Sequence, residues 1–419
     1  ICVCRFLLSR LSNKGGSIVM RYEMDGYLMS GGKPVARIEN GLLVDTDNAR
    51  LPFYLQRCND LYGWLENRAV DRHRTHSRLL KRMVRLSGAE DPDVSMAIHA
   101  ATITDNFWIK RDGETLTYEQ IRFKYNPLAD TALFGSLQSF SDGRWKEAHH
   151  SPEFTNTGSF EKCWRREGGS WWLYKAGDID GFYAELFIEQ IGRVLNMSMA
   201  HYELAEDGKY IRSKDITDDA SVNLDHASGL IGGAYDDYEL NYNIFKNISP
   251  EFAASYVDML YLDALCFNVD RHENNYGFLR SAQTGEVLQF APLFDHNIAM
   301  FSKDPAPFAS HSTTDMLMLD FCTFIEEKEI PFCQPLLSKT KIEEIAKSIP
   351  LQYDTAAVTN FVSDRQNQLA QRLSRSPQYS VRQVPDTSPL ASLMQGAAAR
   401  TSILDINTSR SKGIDGPGI

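Results

Sequence analysis

The sequence has no long hydrophobic run, since none of its apolar stretches approaches the ~20 residues that span a bilayer. Cations are also in deficit: 44 Lys and Arg stand against 55 Asp and Glu, which gives a formal net charge of −11 over 419 residues. That balance argues against bulk binding to nucleic acid or to an anionic membrane. The N-terminal apolar stretch is short and interrupted by Arg5 and Arg10, which argues against a signal peptide. We interpret residues 1–19 as upstream or leader sequence, with Met20 as an alternative start.

Cysteine is scarce and lacks the spacing of a metal site. The seven cysteines are odd in number and scattered, with no matched CxxC pairs, at positions 2, 4, 58, 163, 266, 322 and 333. The pattern argues against a zinc site and indicates a reducing, cytoplasmic protein with buried or free thiols.

The length admits two or three domains at roughly 100–200 residues each. Residues 20–150 mix strand and helix patterns, and we predict a mixed α/β accessory region that opens with a hairpin around Ser30-Gly31-Gly32. From Ser376 onward the chain is rich in Ser, Pro, Gly, Ala and Arg. We expect residues 376–419 to be disordered and dispensable for the fold.

One basic stretch interrupts the acidic background at residues 68–85. Four of its cations fall at helical spacing: Arg74, Arg78, Lys81 and Arg85. The spacing is typical of the solvated face of an amphipathic helix, and a surface for nucleic acid or an acidic partner is the alternative. Because the stretch lies outside the segment that carries the chemistry below, we expect charge reversal at Arg74, Arg78 and Arg85 to leave that chemistry intact.

From about residue 150 the pattern changes to two strands, a helix and two further strands. The first two strands meet at Gly168-Gly169, the helix covers residues 181–195, and the second hairpin turns at Asp207-Gly208. We predict that residues 151–215 form a small α+β lobe and that residues 216–375 form a mainly helical one.

The clearest helix of the second lobe covers residues 250–267, since Ser249 is a good N-cap and proline is tolerated in a first helical turn. A hairpin around Gln283-Thr284-Gly285 is predicted to follow it. Two later helices are predicted over residues 340–348 and 355–373.

A loop and a hairpin of the second lobe carry two carboxylates and an amide. Asp270 lies in the segment NVDRHENNYGF, Asn275 follows five residues later, and Asp295 ends the segment APLFD beyond the hairpin. Phosphoryl transfer from ATP needs a carboxylate that receives the hydroxyl proton and oxygen ligands for Mg²⁺ between the phosphates. The spacing favours Asp270 as the base and Asn275 and Asp295 as metal ligands; the alternative is that these residues cap a helix or hold a loop.

Two charged residues of the first lobe favour the same chemistry. Lys175 lies in the apolar strand SWWLYK, and Glu185 follows ten residues later on an apolar-striped helix. A strand lysine held by a helix glutamate positions the α- and β-phosphates in the kinase arrangement. Each residue alone is also compatible with an ordinary surface charge, whereas the combination is more specific.

The candidate phosphate loop is TNTGSFEK, residues 155–162, which contains one glycine and no GxGxxG. The backbone N–H groups of a Thr/Ser/Gly turn can still hold phosphate, so Thr157, Gly158 and Ser159 are the predicted contacts. An ordinary surface turn is the alternative.

Together, TNTGSFEK, the strand lysine, the helix YAELFIEQIG, NVDRHENNYG and FAPLFD resemble the HipA-like serine/threonine kinases, the toxin kinases of bacterial persistence modules. The resemblance covers about residues 150–375. It implies a two-lobed, protein-kinase-like α+β fold that uses ATP and Mg²⁺. It also implies that Lys175 contacts phosphates, that Asp270 is the catalytic base, and that Asn275 and Asp295 hold Mg²⁺.

The same resemblance implies an adenine site, a form of regulation and a set of partners. Adenine would bind the linker between the lobes, where Ser213 and Asp215 are the predicted contacts. HipA-like kinases autophosphorylate a loop serine, which ejects the loop and switches the enzyme off, and Thr155 stands at that position here. A protein substrate and a small antitoxin-like partner are further expectations.

Two other functions stay open at this point. The pattern DRHxxN followed by a metal-binding Asp also resembles the phosphoinositide kinases, so a lipid kinase of the same broad fold is one alternative. A kinase-shaped module that binds or regulates a partner without catalysis is the other.

Overall fold

The computed structural model describes residues 22–135, 148–158, 160–300 and 316–385 of the chain. Within these ranges an accessory region is followed by a small lobe built on an antiparallel sheet and then by a mainly helical lobe. The predicted α+β class is therefore confirmed.

The accessory region is built on four antiparallel strands and several short helices. Its strands are β1 (Gly26–Ser30), β2 (Lys33–Glu39), β3 (Leu42–Val44) and β4 (Phe107–Arg111), in the sheet order β3-β2-β1-β4. Its helices are α1 (Phe53–Cys58), α2 (Leu61–Arg68), α3 (Ser77–Met83), α4 (Asp91–Met96), α5 (Tyr118–Ile121) and α6 (Ala129–Phe134). The predicted first hairpin is confirmed, with Ser30 paired to Lys33 across Gly31.

The basic stretch does not form the single helical face that its spacing predicted. Helix α3 begins at Ser77, so Arg74 precedes it, and Arg85 follows its end in a left-handed conformation with a φ of +61°. Arg74 is buried and forms an ion pair with the equally buried Glu153. Both sequence interpretations of Arg74, as part of a solvated helix face or of a docking surface, are therefore wrong. Burial of a guanidinium is costly unless other groups pair with its charge. For Arg74 such groups lie far away in sequence, and helical periodicity holds no information about them.

The first lobe has the predicted order of elements. After a short 3-10 turn at Pro152–Thr155 it contains β5 (Lys162–Glu167), β6 (Ser170–Lys175), α7 (Ile179–Val194), β7 (Tyr202–Ala205) and β8 (Tyr210–Lys214). The strands form an antiparallel sheet in the order β5-β6-β8-β7. Asp178 begins α7 as its N-cap and accepts a hydrogen bond from Gly181 N–H.

The second lobe is mainly helical, with short sheets at its edges. Its elements are β9 (Val222–His226), α8 (Ser228–Ile231), α9 (Tyr238–Ile248), α10 (Pro250–Cys266), β10 (Gly277–Ser281), β11 (Val287–Phe290), α11 (Met316–Glu327), β12 (Phe332–Leu336), α12 (Lys339–Ser348), α13 (Thr355–Leu373) and β13 (Tyr379–Gln383). The predicted hairpin and three helices are present, with bounds within one or two residues. Strand β9 was missed, and it pairs with β10 in the sheet β11-β10-β9. None of the helices in the described ranges is long and apolar enough to cross a membrane.

Two buried residues fasten the accessory region to the second lobe. Arg280 of β10 donates to Asp225 Oδ2 at 2.6 Å and to the backbone oxygens of Ala49 and Leu51 at 2.7 and 2.8 Å. Asp225 Oδ2 also accepts the backbone N–H of Phe53 at 2.9 Å. The accessory region is therefore bonded to β9 and β10. Strand β9 precedes the loop that carries Asp270, and β10 follows it.

The prediction of disorder from Ser376 onward is wrong for residues 379–384. Residues 379–383 form β13, which pairs in parallel with β12, and Tyr379 Oη donates to Gln334 Oε1 at 2.6 Å. Val384 is buried and belongs to the large core that also contains α7 and α10. Composition alone predicted disorder beyond Ser376. It holds no information on the strand that binds this segment, β12, which lies some 45 positions earlier in the chain. Residues 386–419 lie outside the described ranges.

A chain cut after Arg375 should lose on the order of 2–4 kcal/mol of unfolding free energy, because it loses the burial of Val384 and the Tyr379 hydrogen bond. Urea unfolding would measure this loss. A chain cut after Pro385 keeps β13, so the difference between the two truncations isolates the strand. Equal stability of the two would contradict the docking of β13.

Candidate functional site

One cavity of about 990 Å³ lies between the two lobes and the accessory region. Its lining includes the following predicted site residues: Thr155, Thr157, Gly158, Lys175, Ser213, Asp215, Asp270, Asn275 and Asp295. Glu185 lies behind this lining and is fully buried, and Ser159 lies outside the described residues. The fold therefore brings candidates from both lobes to one cleft.

Lys175 is bonded to carboxylates of both lobes. Its Nζ lies 3.2 Å from Glu185 Oε1 on α7 and 2.7 Å from Asp295 Oδ1 beyond β11. Glu185 Oε2 in turn accepts the backbone N–H of His296 at 3.0 Å. The three charged groups thus join β6, α7 and the segment after β11 into one bridge, in which Glu185 is fully buried and Asp295 is partly exposed to the cleft.

The charges in this bridge stabilise one another against the cost of burial. Burial alone would favour neutral forms, but the Asp295 and Glu185 carboxylates hold the pKa of Lys175 well above its usual range. Burial likewise opposes ionisation of Asp295, but the neighbouring ammonium of Lys175 holds the pKa of that carboxyl well below its usual range. The pKa of Glu185 is lowered by the same lysine. All three groups are therefore charged at neutral pH.

Asp295 has a backbone conformation that few residues other than glycine adopt. Its φ is +63°, in the left-handed region. Its N–H donates to the Tyr202 hydroxyl at 3.0 Å, and its side chain bonds to Lys175. The strain is maintained by these contacts and directs the carboxylate into the cleft, which is common for functional residues.

The loop after α10 holds Asp270 and Asn275 in a fixed turn. Asn275 Nδ2 donates to Asp270 O at 2.9 Å, and Asn275 N–H donates to His272 O at 2.8 Å. The Asp270 carboxylate bonds to no residue that the structure describes. The Asn275 amide oxygen is also available, because its nitrogen makes the loop contact. One carboxylate and one amide oxygen therefore remain open for a ligand.

A buried ion pair supports this loop. Arg271 donates to both carboxylate oxygens of Asp263 on α10, at 2.8 and 3.0 Å. Its Nη1 also donates to Asn275 O at 2.6 Å and to Phe294 O at 2.9 Å. One guanidinium thus fixes the positions of the loop and of the residue before Asp295. The planar fork of arginine suits such multiple, directed bonds.

The candidate phosphate loop contains a position that requires glycine. Gly158 has a φ of +95°, and a Cβ there would collide with Lys162 Nζ. Thr155, expected at the autophosphorylation position, is buried and donates its hydroxyl to Ala101 O at 2.6 Å. In this conformation its oxygen is engaged with the accessory region, so modification of Thr155 would require release of the loop.

Lys162 is a cleft residue that the sequence reading missed. It lies opposite Lys175 in the β5–β6 register, so both side chains project from the same face of the sheet. Burial lowers the pKa of Lys162 to about 7, and the nearby cations of Arg74 and Lys175 act in the same direction. The alternation of β5 places Lys162 and Trp164 on one face, but only the β5–β6 register shows that this face also carries Lys175 and Leu173.

The linker between the lobes has fewer open groups than expected. The Asp215 carboxylate accepts bonds from Thr217 N–H, the Thr217 hydroxyl and Asp219 N–H at 3.0, 2.8 and 2.9 Å. Its backbone N–H donates to Trp171 O at 2.9 Å. Burial raises the pKa of Asp215 to about 6. Asp215 therefore organises the linker turn, and a ligand there would pair with other backbone groups.

Apolar side chains line the cleft next to this linker. They come from both lobes: Trp164, Leu173, Ala200, Ile216, Leu224 and Phe294. Such a surface suits a flat, largely apolar ring, since binding sites commonly combine an apolar wall with a few convergent polar groups.

The polar end of the cleft has the chemistry of a magnesium–phosphate site. Mg²⁺ prefers oxygen ligands and is usually held by one or two side chains together with phosphates. Asp295 and Asn275 offer such oxygens, and Lys162, Lys175 and the Gly158 turn offer groups for an anion. Within the described ranges no three His, Cys, Asp or Glu side chains could hold a metal by themselves, so an ion here would be shared with a ligand.

Comparisons with known proteins find a likeness in fold alone. No family model and no curated protein matches the chain. The proinflammatory kinase CtkA of Helicobacter pylori is similar at 16% identity and a TM-score of 0.36, over 58% of this chain and 95% of that one. HipA of Shewanella oneidensis MR-1, from the structure of that toxin–antitoxin system with HipB and operator DNA, is similar at 12% identity and a TM-score of 0.48, over 84% of this chain and 98% of that one. Activity therefore has to be inferred from the residues of the cleft.

Proposed function

We propose that the protein is an ATP- and Mg²⁺-dependent phosphotransferase, a HipA-like kinase that phosphorylates protein hydroxyl groups. The observation that carries the proposal is the Lys175–Glu185–Asp295 bridge in the same cleft as the open Asp270 carboxylate. This is the set of groups that phosphoryl transfer needs, in the chain order and on the elements where kinases have them.

Asp270 is proposed as the catalytic base. Its carboxylate accepts the proton of the acceptor hydroxyl while the hydroxyl oxygen bonds to the γ-phosphorus and the bond to the leaving ADP breaks. The unpaired state of the Asp270 carboxylate among the described residues and its place in the cavity support this role. Arg271 holds the loop and has no contact with the reacting atoms in this proposal.

The remaining groups hold the nucleotide and the metal. Mg²⁺ bound between the phosphates would neutralise charge that develops during transfer, and Asp295 and Asn275 would hold it. Lys175, Lys162 and the backbone at Thr157 and Gly158 would hold the phosphates. The apolar wall would receive the adenine beside the linker that contains Ser213.

The acceptor and the partners follow from the sequence resemblance. A serine or threonine of a protein is the proposed acceptor, and a small antitoxin-like protein is a proposed partner. Autophosphorylation at Thr155 belongs to the same proposal. It would have to break the hydrogen bond from Thr155 to Ala101, which ties that residue to the accessory region.

The direct test is incubation of the full chain with Mg²⁺ and labelled ATP, followed by intact mass and by assay on protein and phosphoinositide acceptors. Added phosphate on the chain or on a protein supports the proposal. Label only on phosphoinositide would favour the lipid-kinase alternative. Binding of ATP without transfer to any acceptor would favour the non-catalytic module.

Substitution of the two cleft carboxylates should affect MgATP binding and phosphoryl transfer differently. Asp270→Ala should keep MgATP binding but lose phosphoryl transfer by about 10²–10⁴-fold, the usual contribution of a positioned base. Asp295→Ala should weaken MgATP binding as well as turnover, because it removes a metal ligand. Calorimetric titration with MgATP alongside a phosphorylation assay separates the two effects.

Asp236→Ala, at an exposed position of the second lobe, is the matched control and should change neither quantity. Full phosphoryl-transfer activity in Asp270→Ala would contradict its role as base. Equal losses of stability in both cleft variants, with no split between binding and turnover, would indicate that the carboxylates are structural.

Lys162 should make MgATP binding depend on pH. With a pKa of about 7 in the free protein, Lys162 loses its charge as pH rises, whereas bound phosphate would favour the charged form. Above about pH 7 binding must therefore take up a proton, and the dissociation constant should rise toward about tenfold per pH unit. Calorimetry in buffers of different ionisation enthalpy would detect the uptake.

Lys162→Arg is the matched variant, because arginine keeps its charge throughout this range. Its dissociation constant for MgATP should stay nearly constant between about pH 6 and 9. The comparison removes the contribution of the nucleotide's own titration, which both proteins share. The same pH profile in both proteins would exclude Lys162 from the phosphate site.

A further inference from the structure

The buried ion pair between Arg74 and Glu153 connects the accessory region to the first lobe. Arg74 Nη2 lies 2.6 Å from Glu153 Oε2, and the two residues are 79 positions apart. Both side chains are completely buried. Arg74 precedes α3, whereas Glu153 lies in the 3-10 turn just before the phosphate loop.

This pair contacts both ends of the phosphate loop. At the first end, Arg74 Nη1 donates to Asn156 O at 3.0 Å, and Asn156 Nδ2 donates to Glu153 Oε2 at 3.0 Å. At the second end, Arg74 Nη2 donates to Lys162 O, and Trp164 N–H donates to Glu153 Oε1 at 2.9 Å. The chain therefore enters the loop at Asn156 and leaves it at Lys162, two positions that are tied to the same two side chains.

Other contacts from the accessory region support the same anchor. Asn126 Nδ2 donates to Glu153 Oε1 at 2.7 Å and to Trp164 O at 2.8 Å. Val70 N–H donates to Phe154 O at 2.7 Å. The loop therefore leaves and re-enters the sheet at positions that the accessory region determines.

The chemistry of the pair points to positioning rather than to stability alone. A buried ion pair gains little over a well-packed apolar pair, because two charges must leave water. A guanidinium, however, can donate from a planar fork to several acceptors in fixed directions, which an ammonium cannot. Here that fork reaches two backbone oxygens on opposite sides of the loop, Asn156 O and Lys162 O.

We propose that Arg74 is the positioning residue of the phosphate loop. It sets the distance between the two ends of the loop, and the accessory region thereby contributes to the geometry of the nucleotide site. The proposal rests on the proposed function, since the loop is taken to hold the phosphates of ATP. It replaces the expectation that the charge of Arg74 is irrelevant to the chemistry.

The test is Arg74→Lys in the full chain, which keeps the charge and removes the fork. The dissociation constant for MgATP should rise about tenfold or more, as expected for lost hydrogen bonds to a charged group. The binding stoichiometry should stay that of the unmodified protein. Arg78→Lys, the same change at an exposed arginine of α3, should leave both quantities unchanged.

The stoichiometry separates positioning from a merely structural role. Partial unfolding would lower the number of binding sites and leave the affinity of the folded fraction unchanged, and that result would overturn the proposal. An unchanged dissociation constant with full stoichiometry would overturn it as well. If Arg74→Lys does not fold, Glu153→Gln, which keeps the size and removes the charge, is judged by the same two quantities.

Hydrogen exchange of the ligand-free chain distinguishes this proposal from the proposed function. Arg74→Lys should speed exchange in residues 156–164 and leave α10 protected. If the unmodified protein binds no MgATP, the proposed function fails. The exchange rates then test by themselves whether Arg74 holds the loop in position. Faster exchange confined to residues 156–164 supports the anchor, whereas unchanged exchange there overturns it.

Discussion

The contact of Lys175 with Glu185 and Asp295 is the constraint on which the rest of the cleft depends. It connects a strand and a helix of the first lobe to the segment that follows the β10–β11 hairpin in the second. The buried Glu185 carboxylate and the partly exposed Asp295 carboxylate share one ammonium, which offsets their mutual repulsion. The relative position of the lobes is thereby linked to the charge state of the site.

Two buried arginines give the accessory region a similar role. Arg74 bonds to the first lobe at the root of the phosphate loop, and Arg280 bonds back from the second lobe to the backbone at Ala49 and Leu51. Each guanidinium satisfies carbonyl oxygens that lie far away in sequence. The region before residue 150 is therefore bonded to both lobes and forms one wall of the cavity.

Left-handed backbone conformations occur at several positions along the chain, and one of them, Asp295, lies in the cleft. Asp295 and Phe267, the residue that ends α10, have φ values of +63° and +55°, and Gly158 has one of +95°. Conformations of this kind are retained where surrounding contacts over-determine them. The Tyr202 hydroxyl and Lys175 do so for Asp295. The predicted loop, helix end and hairpin thus acquire their functional geometry from contacts outside themselves.

Local pattern predicted the elements of the first lobe, and the hairpin and three of the helices of the second. The N-cap of α10 at Ser249, the apolar stripe of α7 and the glycine turn between β5 and β6 act over a few residues, so they can be read directly from the chain. The contact between Lys175 and Glu185 was predicted from the kinase arrangement, in which a helix glutamate holds a strand lysine.

Only the tertiary structure decided the roles of Arg74, Lys162 and β13. Arg74 fits a helical charge pattern, yet it is buried because Glu153, far along the chain, matches its charge and two carbonyl oxygens accept from its Nη1 and Nη2. Lys162 is a cleft residue because β5 pairs with β6 in a register that places it beside Lys175. Residues 379–383 form a strand because β12 offers a free edge. Each of these outcomes depends on a partner distant in sequence, and composition and periodicity hold no information about such partners.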